Sequence, residues 1–428
     1  MLSFDGSNGS RYCDGVRRRD FLKIGALGFG GLTLADVLRA EAASGVGKSQ
    51  KAIINIHLSG GPTHMDMFDL KPEAPKEYRG EFMPIATNVP GMDICEHMPR
   101  LATMADKFAV IRSLVGSNAG HTSFQTHTGF NTRSLAAIGG RPSIGAVIGK
   151  IRGSIDGAPP FVSYNGGGGG YLGATYQPFS PNGRGAALAN LRLERSLSSA
   201  RLTDRSALLG QLDRIRRDVD VHGQMVAMDS FTKTAIDVVT SGRVADAIDL
   251  KKEDPRTVAR YGKGGSTVLT ARRLIQAGVR VVTMNAFGGW DTHSNNFKTL
   301  RDRNLPQVDQ AMSALLEDLE HHGMLDDVTV VMWGEFGRTP RVNARAGRDH
   351  WPRLSMGFIA GGGIRGGTVI GSSTRNGETA KDNPVHFQDV HATMYHNMGV
   401  DLRTQQFIDP AGRPQYILEH LDPIKELV

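Results

Sequence analysis

Cysteine is almost missing from this sequence: its 428 residues include only Cys13 and Cys95. Cys13 lies in a leader described below, which leaves one cysteine in the mature chain. One cysteine cannot form an internal disulfide, so stability must come from a packed core. Cys95 reads as an ordinary small residue, since nothing around it argues for a nucleophile. Long hydrophobic runs are also missing. No stretch of the mature chain nears the roughly 20 apolar residues that span a bilayer, so no stable membrane span is expected after cleavage. No dense basic tract or known reading module is present, and nucleic acid drops out of the expected partners. The formal charge is +7. Residues 1–42 hold six Lys/Arg and five Asp/Glu, so their removal leaves +6, spread along the chain. An excess of this size could favour anionic substrates or surfaces, but a solvated face is the default reading.

The N-terminus carries a strong signal. Arg18-Arg19-Asp20-Phe21-Leu22-Lys23 has a twin-arginine core, with Arg17 where Ser or Thr is more usual. A glycine-rich apolar stretch runs from Ile24 to Leu34, and Ala40-Glu41-Ala42 offers a small-residue cleavage site before Ala43. A charged region, a short apolar region and an Ala-x-Ala end describe a processed signal peptide. Paired arginines direct it to the translocon that exports folded proteins. Residues 1–42 are therefore expected to be removed, the translocon is the partner during export, and the mature protein is expected to be periplasmic or secreted.

The remaining chain, about 386 residues, can bury a large core. Lys51–Leu58, Phe108–Leu114, Gly278–Met284, Val328–Trp333 and Ser355–Ala360 read as strands. Leu305 to His321 repeats Val308, Met312, Leu315, Leu316 and Leu319 at helical spacing, with Gly323 as a stop. Gln388 to Met398 reads as a final helix, and about 186–272 as a charged helical insertion. Five glycines from Gly166 to Gly170 read as a surface loop, without the spacing of a phosphate cradle. Strand and helix alternation predicts an α/β domain over 43–428, with a mainly parallel central sheet and helices on both faces.

Three predicted strands end in a glycine followed by acidic or imidazole side chains. These segments are Gly60-Gly61-Pro62-Thr63-His64-Met65-Asp66, Gly288-Gly289-Trp290-Asp291-Thr292-His293 and Gly334-Glu335-Phe336-Gly337-Arg338-Thr339. A fourth cluster, Gly347-Arg348-Asp349-His350-Trp351, follows shortly. Taken singly, each reads as structural rather than functional: a turn, a helix cap or an ion pair such as Glu335–Arg338. Gathered at one sheet edge, carboxylates and imidazoles suit a divalent cation: Zn, Mn or, with more oxygens, Ca. A cation also relieves the repulsion among crowded carboxylates.

These stretches, with Tyr78-Arg79-Gly80-Glu81-Phe82 and the Glu-Phe-Gly-Arg-Thr-Pro run Glu335–Pro340, resemble the domain-of-unknown-function 1501 family. That family is placed in the alkaline-phosphatase-like superfamily of sulfatases, phosphatases and cofactor-independent phosphoglycerate mutases. The resemblance implies two metal positions at the strand ends. Asp66 and Glu335 would serve one metal; Asp291, His293 and His350 would serve the other. Two departures stand out: Phe336 occupies the place of an expected histidine, and the Asp291–His293 spacing is short. The segment comparable to the superfamily's nucleophile runs from Ser117 to Ser123, before Thr128-Gly129. It holds no cysteine, which excludes a formylglycine made from one. Ser117, Thr122 and Ser123 are the candidate hydroxyls, and His121 is either a ligand or an acid/base group. Arg338 is a candidate clamp for a tetrahedral oxyanion. The implied activity is metal-dependent hydrolysis of a small anionic phosphate or sulfate ester. The alternative is a noncatalytic exported binding protein with a degenerate metal site.

Overall fold

The computed structural model describes residues 51–181, 232 and 235–428. The expected signal peptide and the first half of the expected insertion lie outside these residues. The centre is an eight-stranded sheet. In chain order its strands are β1 (Ala52–His57), β2 (Phe108–Val115), β3 (Phe161–Ser163), β4 (Val281–Asn285), β5 (Val328–Trp333), β6 (Ser355–Ala360), β7 (Thr368–Ile370) and β8 (Val385–His386). Across the sheet the order is β7-β2-β6-β5-β1-β4-β3, with β8 also paired to β2. β1 is parallel to both β4 and β5, β3 to β4, and β7 and β8 to β2. β6 runs antiparallel to its neighbours β5 and β2. The sheet is therefore mostly parallel, in an α/β fold.

Strands covered on both faces read as unbroken apolar runs rather than alternating ones, and all six residues of β1 and of β5 are buried. Adjacent residues nevertheless serve different cores. Ile54, Ile56, Val282 and Val330 point into one, shared with α2 (Arg243–Ile248), α3 (Pro255–Tyr261), α4 (Ser266–Gln276) and α5 (Leu305–His321). Ile53, Val281, Val331 and Ile359 point into the other, shared with α1 (Ile144–Arg152) and α6 (Phe387–Asn397). Helices thus cover both faces. The described part of the 186–272 stretch is helical in α2, α3 and most of α4.

α5 forms over the residues its spacing predicts. Pro306 occupies its first turn, where a missing N–H is harmless, and Gly323 just beyond its end adopts φ +64°. Each fully buried Leu on this helix contributes roughly 1.5–3 kcal/mol. β3 is absent from the sequence expectations. Cys95 is buried, and burial pushes its thiol up to about 12, which makes it unreactive. No helix among the described residues is long and apolar enough to cross a membrane.

Because β1, β2, β4 and β5 run in one direction, their carboxyl ends share one edge of the sheet. The chain leaves that edge through residues 58–66, 116–123, 286–293 and 334–338. Ligand sites of open α/β sheets form at such an edge.

Candidate metal centre

Beyond β4 the chain turns sharply at Phe287 (φ 63°) and Gly288 (φ 75°), two successive left-handed residues that bring Asp291 back over the edge. Beyond β1, Gly60 lies so close to this loop that a Cβ would sit 2.4 Å from the Asp291 backbone nitrogen. Its φ of +107° independently disfavours any side chain. Beyond β5, Gly337–Arg338 pairs with His350–Trp351 in a two-stranded ribbon, which sets Arg338 opposite His350.

The Asp291 carboxylate is the hub of the cluster. Its Oδ1 lies 3.0 Å from His293 Nε2 and 3.2 Å from His350 Nε2, and Oδ2 lies 3.4 Å from His121 Nε2. Ligand atoms of His121, Asp291 and His350 all lie within 4.8 Å of one another. Each histidine is also held from behind through Nδ1. His121 faces Glu335 Oε1 at 2.9 Å, His293 faces Asp349 Oδ1 at 2.5 Å, and His350 faces the Ala119 carbonyl at 3.1 Å. Three Nε2 atoms therefore converge on one carboxylate, each backed by an oxygen that can only accept. Neighbouring rings lie 4.5 Å (His121 and His350) and 4.8 Å (His293 and His350) apart by centroid. His121 and Asp291 are close to half exposed, so the cluster opens to solvent.

The charges respond to this arrangement. Partial burial alone would raise the Asp291 carboxyl, but Arg338, His350 and His293 outweigh it and hold the group at about 2. Glu335 is deeply buried, and burial alone would raise it. The close approach of His57 and a hydrogen bond with His121 prevail and hold it at about 2. Gly60 N–H donates to Glu335 Oε1 at 2.9 Å. His57 Nε2 lies 3.3 Å from Oε2, within ion-pair reach, although Oε2 makes no well-aligned hydrogen bond. Asp349 lies below its usual range, chiefly because of His293.

Several expected site residues stand elsewhere. Asp66 is fully buried against Arg348, accepting at 2.8 Å from Nε and 2.9 Å from Nη2. Asn296 and Thr63 donate to its Oδ2 at 2.8 and 3.0 Å. With both oxygens engaged by Arg348, Asp66 anchors the guanidinium and does not join the cluster. Arg348 in turn donates to the carbonyls of Tyr78, Thr339 and Pro340, which fixes the loop leading to Asp349 and His350. Glu335 stands behind His121, in contact with His57, His121 and Gly60, rather than among the groups around Asp291. Arg338 is fully buried and donates to Asp291 Oδ1 and to the carbonyls of Gly60, Gly61 and Arg348. A guanidinium so engaged holds the loops together and is not free to clamp an oxyanion. Phe336, in place of the expected histidine, is a buried wall whose ring centroid lies 4.4 Å from that of His350.

Among the candidate hydroxyls, Ser117 Oγ is buried without a partner. Thr122 Oγ1 accepts from the Phe124 N–H at 3.2 Å, and Ser123 Oγ donates to the Asn165 carbonyl at 3.3 Å. Sequence clusters single out neither His57 nor a role for Asp349. The available signals were a histidine closing an apolar strand at the functional edge and an acid adjoining His350.

The family described as "Protein of unknown function (DUF1501)" matches residues 50–428. No curated protein matches. Two similar solved structures are "Crystal structure of Ps i-CgsB" and "Crystal structure of PsFucS1 sulfatase from Pseudoalteromonas sp.". The first is 11% identical with a TM-score of 0.40, over 82% of this chain and 72% of that one. The second is 11% identical with a TM-score of 0.36, over 86% and 70%. Likeness at this level transfers no chemistry.

Proposed function

The chain belongs to the DUF1501 family, and from that premise we propose an exported, metal-dependent hydrolase of phosphate or sulfate esters. The observation that carries this reading is the convergence of His121, His293 and His350 on Asp291. An imidazole between two acceptor-only oxygens needs a proton on each nitrogen, or one proton and a cation. Three doubly protonated rings side by side would repel one another. One divalent cation among the three Nε2 atoms and Asp291 removes that repulsion, and Glu335, Asp349 and the Ala119 carbonyl then play the role of outer partners that orient ligating histidines. A nitrogen-rich donor set suits Zn or Mn better than Ca. A cation there would supply Lewis acidity and an acidified water.

The protein's own groups would bind and orient the ester. Phe336 closes one side of the site, and the half-exposed edges of His121 and Asp291 leave it open to a small anion. None of Ser117, Thr122 and Ser123 has a base within hydrogen-bonding distance, so the reading assigns attack to water. Export rests on Arg18 and Arg19.

The test is turnover of aryl phosphate and aryl sulfate esters by mature protein supplied with Zn2+ or Mn2+. Asp291→Ala and His350→Ala should each lower the rate more than 100-fold, beyond the roughly 10–100-fold typical of outer partners. Wild-type rates in both variants would sink the proposal. If metal-loaded protein turns over no ester, the binding-protein reading takes its place, and the engaged guanidinium of Arg338 favours that outcome.

A further inference from the structure

We infer that His57, buried at the end of β1, is a positioning residue that acts through Glu335 to fix the ring of His121. The inference rests on the metal reading above. A line of polar contacts runs from the interior to the open site. Thr126 Oγ1 lies 3.1 Å from His57 Nδ1, His57 Nε2 lies 3.3 Å from Glu335 Oε2, and Glu335 Oε1 lies 2.9 Å from His121 Nδ1. His121 Nε2 then faces Asp291 at 3.4 Å. Thr126, His57 and Glu335 are all buried.

The Thr126 hydroxyl donates to the Ser123 carbonyl at 2.9 Å, and its oxygen holds His57 Nδ1 at 3.1 Å. Glu335 Oε2 can only accept, so the ring nitrogen that faces it at 3.3 Å, Nε2, carries a proton. The far end of the line is pinned as well. Asn55 donates to the Thr126 carbonyl at 2.8 Å and accepts from Trp333 Nε1 at 2.8 Å.

Polar groups buried this deeply cost free energy unless each is paired. Without His57, Glu335 Oε2 would face no donor. With His57 and the Gly60 N–H in place, the carboxylate is held from two sides and presents Oε1 to His121. That contact keeps the proton of His121 on Nδ1 and leaves Nε2 bare toward Asp291, the state a ligand needs.

The test measures Zn2+ affinity by competition titration on metal-free mature protein, for wild type, His57→Gln, Glu335→Gln and the double variant. Glu335→Gln should weaken binding about 10–100-fold, and His57→Gln several-fold or more. The double variant should bind no more weakly than Glu335→Gln alone, because one residue acts through the other. Thr126→Val should also weaken binding, and Thr126→Ser should restore it. This pair carries the test if His57→Gln does not fold. A merely structural role would lower the melting temperature of metal-free protein and leave affinity alone. Unchanged affinity in His57→Gln and Thr126→Val, or losses that multiply in the double variant, would overturn the inference. A wild type that takes up neither Zn2+ nor Mn2+ overturns the metal reading, and this inference with it.

Discussion

Replacing Asp66 by Asn separates a structural carboxylate from a ligand by the sign of its effect on metal-free protein. A carboxylate gathered for a cation is a burden without it, so its neutralisation should leave metal-free protein unchanged or firmer. Asp66 instead neutralises Arg348, which is fully buried. The substitution turns an amide N–H₂ toward the guanidinium in place of one oxygen and leaves the positive charge uncompensated. Breaking a buried pair in this way costs about 3–5 kcal/mol. At roughly 2 °C per kcal/mol for a large domain, metal-free Asp66→Asn should melt about 6–10 °C below wild type. Calorimetry with chelator present measures this directly. A variant that melts at or above the wild-type temperature would refute the assignment and return Asp66 to the metal site.

Glu335 makes stability depend on acid. Its folded value of about 2 lies below the ordinary 4.5, so its contribution is complete above about pH 4.5 and is lost as pH falls toward 2. The loss is on the order of 3 kcal/mol, and denaturant titration of Glu335→Gln should show a flatter acid limb than wild type. Gly60→Ala should force Asp291 away from its loop contact and lower Zn2+ affinity about tenfold or more, read by the same competition titration; wild-type affinity would show that the loop yields freely. Replacing Arg18 and Arg19 together by Lys should trap full-length precursor in the cytoplasm on immunoblots, and normal processing would remove the export reading.

The fold was legible where periodicity is strong. α5 keeps its predicted ends because Val308, Met312, Leu315 and Leu319 trace one face; β5 keeps its own and β1 falls one residue short at each end, both being covered on both faces. β3 was not legible, since three residues between Pro160 and a glycine-rich run carry no period. The gathering of Asp291, His293 and His350 at one edge was legible because each follows a glycine near that edge. The roles of Asp66 and Arg338 were not. Asp66 meets Arg348, 282 residues along the chain, and Arg338 meets the Gly61 carbonyl 277 residues away. A local pattern shows that a charge is present, while the group it faces is set by the folded chain. Chain order alone also left open whether His121 is a ligand or an acid/base group, and could not show that its Nε2 faces Asp291.

In the proposed metal centre, His121, Asp291, His293 and His350 hold one divalent cation. Elemental analysis of mature protein purified without chelator, followed by Zn2+ titration, tests it most directly. Wild type should carry about one equivalent and gain roughly 2.7 kcal/mol of stability when free Zn2+ is a hundred times the dissociation constant, while Asp291→Ala should carry none. Metal-free wild type whose melting curve ignores both Zn2+ and Mn2+, or full occupancy that survives the joint loss of His121 and His350, would contradict it.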